Sequence, residues 1–96
     1  LLLDEPTTFL DLEHQLSTYR LLRRLAGEGL LVVSVTHDLN LAATYSDRVI
    51  ALKRGLVEAD ASPCDALSAA VIRRIFAVEA EWLSRGSGKG WIAYGE

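Results

Sequence analysis

The apolar positions of this chain alternate between two kinds of pattern, and each switch marks an element. Leu1-Leu2-Leu3 runs without interruption into the adjacent carboxylates Asp4-Glu5, as expected of a buried strand that delivers acids to its C-terminal edge. Pro6 and the threonines after it break that strand. Asp11 then stands where an N-cap belongs, and Leu12, Leu16, Tyr19, Leu22 and Leu25 recur at steps of four and three. This spacing predicts a helix of roughly four turns with one apolar face, ended by Gly27 and Gly29. Glu13, Arg20, Arg23 and Arg24 fall mostly off the stripe and read as its solvated face. Residues 30–36, Leu-Leu-Val-Val-Ser-Val-Thr, form a near-continuous β-branched and aliphatic run. It suits a strand buried on both faces of a parallel sheet. Strand, helix and strand in this order predict a βαβ unit.

Beyond His37-Asp38 the pattern shortens. Leu41, Ala42 and Tyr45 share a face of a short helix over residues 39–45. Residues 48–52 and 56–59 are apolar segments joined by Lys53-Arg54-Gly55, an antiparallel hairpin with Gly55 supplying the positive φ of a tight turn. Ser62-Pro63 opens a further helical stretch, with Pro63 suited to its first position. Leu67, Val71, Ile75 and Phe76 form its buried face, up to about Ala77. Residues 79–84 are expected as a last strand and residues 85–96 as a flexible tail.

Composition narrows the classes. The chain has 96 residues, within the size of one small domain, and half of them are apolar. A net charge of −3 leaves no basic footprint for nucleic acid and no polybasic membrane patch. The single cysteine, Cys64, excludes an internal disulfide and supplies no metal cluster; it reads as an inert small residue near a helix start. No stretch approaches the ~18 apolar residues of a membrane span. The chain contains no methionine and opens on what reads as a central strand, so it is expected to be the C-terminal piece of something longer.

The candidate chemistry lies at two strand ends. Asp4-Glu5 closes the first strand and His37-Asp38 the second, so both pairs should face one edge of the sheet. One carboxylate near a magnesium ion and one near an attacking water is a sensible division of labour for phosphoryl transfer. The plain alternative is a strand that ends in an acidic turn before Pro6. Gly88-Lys89 invites a phosphate-loop reading that fails on spacing. A P-loop requires glycine five positions earlier and Ser or Thr after the lysine; here Leu83 and Gly90 occupy those places. Residues 86–90 are therefore read as a surface turn.

By His37 a family resemblance is clear. Leu1-Leu2-Leu3-Asp4-Glu5-Pro6 resembles the Walker B motif and catalytic glutamate of ABC-type ATPases. Residues 7–11 resemble their D-loop, and Val35-Thr36-His37-Asp38 their switch-histidine loop. Residues 46–55 look like the hairpin that transporter ATPases carry after that histidine, and Ala61-Ser62-Pro63 fits their step into a helix. Thr8-Phe9-Leu10-Asp11-Leu12-Glu13-His14-Gln15 and His37-Asp38-Leu39-Asn40-Leu41-Ala42 are similar to the branch serving iron–siderophore, haem and cobalamin importers. The resemblance extends to about Leu83.

The resemblance implies an α/β fold: the C-terminal half of a P-loop NTPase domain of the ABC ATPase type, mostly parallel sheet with a C-terminal hairpin and helices. Residues 1–84 would form the partial ATPase domain. Asp4 would hold Mg2+ through water, Glu5 would polarise the attacking water as general base, and His37 would contact the γ-phosphate of ATP. Asp11 would join two ATPase subunits across their shared nucleotide sites. His14, Tyr19 and Tyr45 are read as a surface side chain and two core aromatics. The implied partners are ATP, a second copy of the ATPase subunit and transmembrane permease subunits. The implied location is the cytoplasmic face of the membrane, held there through the permease. The Walker A lysine loop, Q-loop and signature of the family are missing from these residues, so the chain alone is expected to be inactive. Soluble ABC-type ATPases of ribosome-associated or DNA-repair kind share the same motifs, and a non-catalytic gene remnant is the third reading.

Overall fold

The computed structural model describes residues 1–6, 9–86 and 89–95. In order, its elements are β1 (Leu2–Asp4), α1 (Leu12–Gly27), β2 (Val33–Val35), α2 (Leu39–Tyr45), β3 (Val49–Lys53), β4 (Leu56–Ala61), α3 (Pro63–Ala66), α4 (Ala69–Phe76), β5 (Ala80–Gly86) and β6 (Lys89–Tyr94). The chain divides into two compact units, Leu1–Asp38 and Leu39–Glu96.

The first unit is the expected strand–helix–strand. β1 and β2 pair in parallel with Leu2 opposite Val33, Leu3 opposite Ser34 and Asp4 opposite Val35. α1 starts where Asp11 accepts a hydrogen bond from the backbone N–H of His14 at 2.9 Å, satisfying one of the donors a helix start leaves without an intrahelical partner. It ends at Gly27, and Gly29 follows in the left-handed region at φ 101°. Tyr19 and Leu22 are buried, Leu16 and Leu25 half-buried, and Leu12 lies exposed at the first turn. The buried Tyr19 keeps its hydroxyl satisfied at 3.3 Å from Ser34 Oγ.

The depth of these strands departs from expectation. Of residues 30–36 only Val33–Val35 is strand, and neither β1 nor β2 is buried on both faces. Leu2 is 74% and Leu31 77% exposed, and Val33 and Val35 are also open to solvent. Apolar character in a strand signals burial only when layers exist to bury it. Here each strand has one neighbour among the described residues, and two strands with one helix cannot enclose both faces.

In the second unit, α2 spans the expected residues. β3 and β4 form the antiparallel hairpin with Lys53 opposite Leu56 and a bulge at Ala51/Leu52. The two-residue turn carries Arg54 at φ 53° and Gly55 at φ 77°, the double positive φ that matches the right-handed twist of a hairpin. The single helix expected over 62–77 is instead α3 and α4. Ser68 breaks it by accepting the N–H of Val71 at 3.3 Å as a new N-cap, since a short hydroxyl side chain competes with helical backbone bonding. The break resets the helical phase. Ile72 faces the core at 1% exposure and Phe76, expected inside, is 45% exposed.

The expected last strand is present as β5, but a flexible tail does not follow it. Residues 89–94 form β6, antiparallel to β5, with Trp82 opposite Ile92 and Leu83 opposite Trp91. Ser87, Gly88 and Glu96, which fall within the expected tail, lie outside the described residues. Ile92 joins Ala43, Leu67 and Ile72 in a buried cluster, with Leu39, Ala42, Val49, Ala80 and Trp82 packed around it. Strand β6 gives Ile92, 3% exposed, a core to enter. Asn40 also clamps it: Ile92 N–H donates to Asn40 Oδ1 at 2.6 Å, and Asn40 Nδ2 donates to Ile92 O at 3.3 Å.

Candidate functional site

The candidate site is built from the C-terminal ends of β1 and β2. Asp4 is the last residue of β1, opposite Val35, and its side chain is exposed at the strand end. The ladder runs one step further, because the Glu5 N–H donates to Val35 O at 2.7 Å. That bond holds Glu5 at φ 48°, a left-handed conformation unusual for a residue with a Cβ. The backbone turn aims the carboxylate along the sheet edge, and Glu5 Oε1 lies 2.9 Å from His37 Nε2.

His37 stands just past β2. Thr36 Oγ1 accepts the N–H of Asp38 at 3.0 Å, closing a small side-chain turn around the histidine. His37 is 87% exposed in its side chain and Glu5 31%. A pair this open to water adds little to folding, while the left-handed Glu5 costs about 1–2 kcal/mol. The geometry is therefore not explained by stability. It leaves an acid and an imidazole in contact at an accessible strand edge, one position along the chain from a second, exposed carboxylate, Asp4.

Asp11 sits apart from that pair in role. Its Oδ1 accepts the His14 backbone N–H and lies 2.6 Å from His14 Nδ1. The backbone hydrogen bond first, and the imidazole second, hold its carboxyl below the ordinary aspartate value. His14 is exposed, as its sequence position suggested, yet it is also the partner of the cap. The three-residue spacing from an N-cap acid was the signal for that contact. Thr7 and Thr8, which carry the start of the D-loop resemblance, lie outside the described residues. Tyr19 is a core aromatic and Tyr45 is half-buried. Cys64 is half-buried at the start of α3.

Among the described residues, no group of three or more His, Cys, Asp or Glu side chains is placed to hold a metal ion. A magnesium ion does not require one. It is commonly held by one or two carboxylates together with water and substrate phosphates, and an exposed carboxylate at a strand end, as at Asp4, fits that donor set. Among the described residues, no helix is long and apolar enough to cross a membrane.

No protein-family model matches this chain. Known proteins do. It is 52% identical over 75 residues to the hemin import ATP-binding protein of Aliivibrio fischeri, covering 78% of this chain and 29% of that one. It is 47% identical over 90 residues to the petrobactin import ATP-binding protein of Bacillus anthracis, covering 93% of this chain and 33% of that one. The chain thus spans about a third of the length of the curated relatives it matches. Among solved structures it superimposes on a chain of a metal-chelate type ABC transporter in an inward-facing conformation. The TM-score is 0.78 at 22% identity, with 98% of this chain and 38% of that one covered. The chain is homologous to hemin and petrobactin import ATP-binding proteins, and its fold is that of part of an ABC transporter ATPase.

Proposed function

We propose that this chain is the hydrolysis-and-switch portion of the ATP-binding subunit of an ABC importer, in the branch that takes up haem, iron–siderophore or cobalamin. The observation that carries the reading is the Glu5–His37 contact at the shared end of β1 and β2. It places together the two residues that the resemblance assigns to water activation and γ-phosphate sensing. The strained φ of Glu5 supports the same reading, because backbone strain persists where aim matters more than stability.

In this reading Asp4 binds Mg2+ through water, and Glu5 accepts the proton of the water that attacks the γ-phosphate. His37, held against Glu5, donates to the γ-phosphate and reports its presence. Bound ATP with Mg2+ supplies the transferable phosphoryl group and the counter-charge for it. Asp11 contributes to the contact with a second ATPase subunit, and permease subunits hold the pair at the cytoplasmic face of the membrane. Residues 1–96 contain no GxxxxGK[ST] phosphate cradle, so in this reading the 96 residues alone neither bind ATP tightly nor hydrolyse it measurably. The β3–β4 hairpin and the Pro63-led helix favour a transporter subunit over a soluble ABC-type ATPase.

The coding sequence before Leu1 provides the first test. It should hold an in-frame GxxxxGK[ST] and a signature motif; with neither present, the remnant reading takes over. In the protein that carries both, Glu5→Gln should bind and retain ATP while turnover falls at least ~100-fold, the scale of general-base contributions. Turnover left unchanged by Glu5→Gln would sink the assignment.

A further inference from the structure

The second unit holds an open cleft of about 370 Å3 lined by Thr44, Arg85, Gly86, Lys89 and Gly90. The charged side chains on its wall are both cations. The Arg85 guanidinium lies over the Trp91 ring at 5.9 Å from its centroid, which orients it by its face and leaves its N–H edges available. Lys89 Nζ donates to Ser46 O at 3.2 Å, using one of its three donors and fixing the ammonium at the cleft. Among the described residues, neither cation is paired with a carboxylate. In a chain of net charge −3, two cations without a counter-ion on one hairpin are a local excess.

The backbone is accessible as well. Gly86 is at φ 87°, and a Cβ built on it would meet nothing within 4 Å, so its backbone borders open space. The donors present are a planar guanidinium fork, an ammonium and the Thr44 hydroxyl. A carboxylate would balance only one of the two positive charges, whereas a phosphate monoester balances both. The volume also admits more than the phosphate group. We propose that this cleft is a binding site for a phosphate-bearing ligand, either a phosphorylated small molecule or a phospholipid headgroup. It is a different device from a P-loop, whose spacing residues 83–90 lack. It uses side chains on a β-hairpin in place of backbone amides at a helix start. The proposal stands independently of the ATPase reading.

Trp91 is the reporter, because a ligand drawing on Arg85 alters the environment of the indole. The full chain is titrated with inorganic phosphate at constant ionic strength against chloride, following the Trp91 indole N–H by NMR, assigned with Trp91→Phe. In parallel it is sedimented with phosphatidylcholine vesicles with or without phosphatidic acid. The expected result is a saturable Trp91 shift with phosphate, weakened about tenfold by Lys89→Gln or Arg85→Gln and largely retained by Lys89→Arg. Phosphate binding at a nucleotide site would survive Lys89→Gln. Co-sedimentation only with phosphatidic acid, lost in the same variants, identifies the lipid as the source; its absence beside a phosphate response identifies a soluble ligand. No saturable Trp91 response together with no vesicle binding overturns the proposal, as does a response unchanged in the Arg85→Gln, Lys89→Gln double variant.

Discussion

Adding a single methyl group at Gly90 tests the packing of the C-terminal hairpin. Gly90 is buried in β6 opposite Ser84. A Cβ there would lie 2.4 Å from Leu83 O and 2.8 Å from both Cε2 and Nε1 of Trp82. Carbon contacts are optimal at about 3.5–4.0 Å, so the methyl falls about 0.7 Å short against the indole carbon alone. Neither neighbour yields easily. The Leu83 carbonyl belongs to a paired strand, and Trp82 packs on the Ile92–Leu67–Ile72–Ala43 cluster. Overpacking of this kind costs about 1–3 kcal/mol. Gly→Ala returns about 0.4–1 kcal/mol by restricting the unfolded chain. The clash wins, and Gly90→Ala should destabilise the unit by about 1–2 kcal/mol. With a urea slope of about 1 kcal/mol/M for so small a unit, the midpoint falls by about 1–2 M. The chain's two tryptophans, Trp82 and Trp91, both lie on this hairpin, so their fluorescence follows its unfolding directly. Trp82→Leu removes the ring contacts, so the cost of Gly90→Ala should shrink in that background. A midpoint equal to or above the parent's, with unchanged slope, refutes the packing as described.

The remaining predictions concern the core and the helix cap. Ile72→Ala removes a side chain 1% exposed and should cost about 2–5 kcal/mol; Phe76→Ala, on the solvent side of the same helix, should cost far less. Reversal of that order in urea titration would mean that α4 is in the wrong phase. At Asp11 the folded carboxyl is held below its ordinary value by His14. Its stabilisation is therefore complete above the unfolded value of about 4 and is lost as pH falls through the lower folded value. Asp11→Asn keeps an accepting cap oxygen without a charge to titrate. Far-UV circular dichroism should then show the parent losing helix stability relative to D11N below about pH 4. A difference independent of pH would refute the cap assignment.

Much of this architecture is local and was legible in the sequence. The four-and-three spacing of Leu12 through Leu25, with Asp11 before it and Gly29 after it, specifies α1 from within one stretch of chain. Gly55 specifies the β3–β4 turn in the same way. The placement of Asp4-Glu5 and His37-Asp38 at one edge also follows from sequence, because a strand–helix–strand unit brings parallel strand ends side by side. The positive φ of Glu5 and its 2.9 Å approach to His37 do not follow. They depend on the register of Leu3 against Ser34 and on the extra ladder bond from Glu5 to Val35.

Burial likewise belongs to the tertiary structure. The runs at Leu1-Leu2-Leu3 and 30–36 carry the composition of enclosed strands, yet burial requires neighbouring layers, and among the described residues each of those strands has a single strand partner. Ser68 could have continued a helix or capped one; packing of Leu67 and Ile72 into one cluster selected the cap and turned Phe76 outward. Residues 89–94 read as a tail because Gly and Lys precede only a short apolar segment. They became β6 because Ile92 reaches that cluster and Asn40, far away in the chain, completes its backbone hydrogen bonds. Sequence alone determined the strand–helix–strand order, the short helix and the hairpin of residues 1–61 and the chemical groups that stand at their ends. The fold decided which side chains are buried and which groups touch, because both depend on partners remote in sequence.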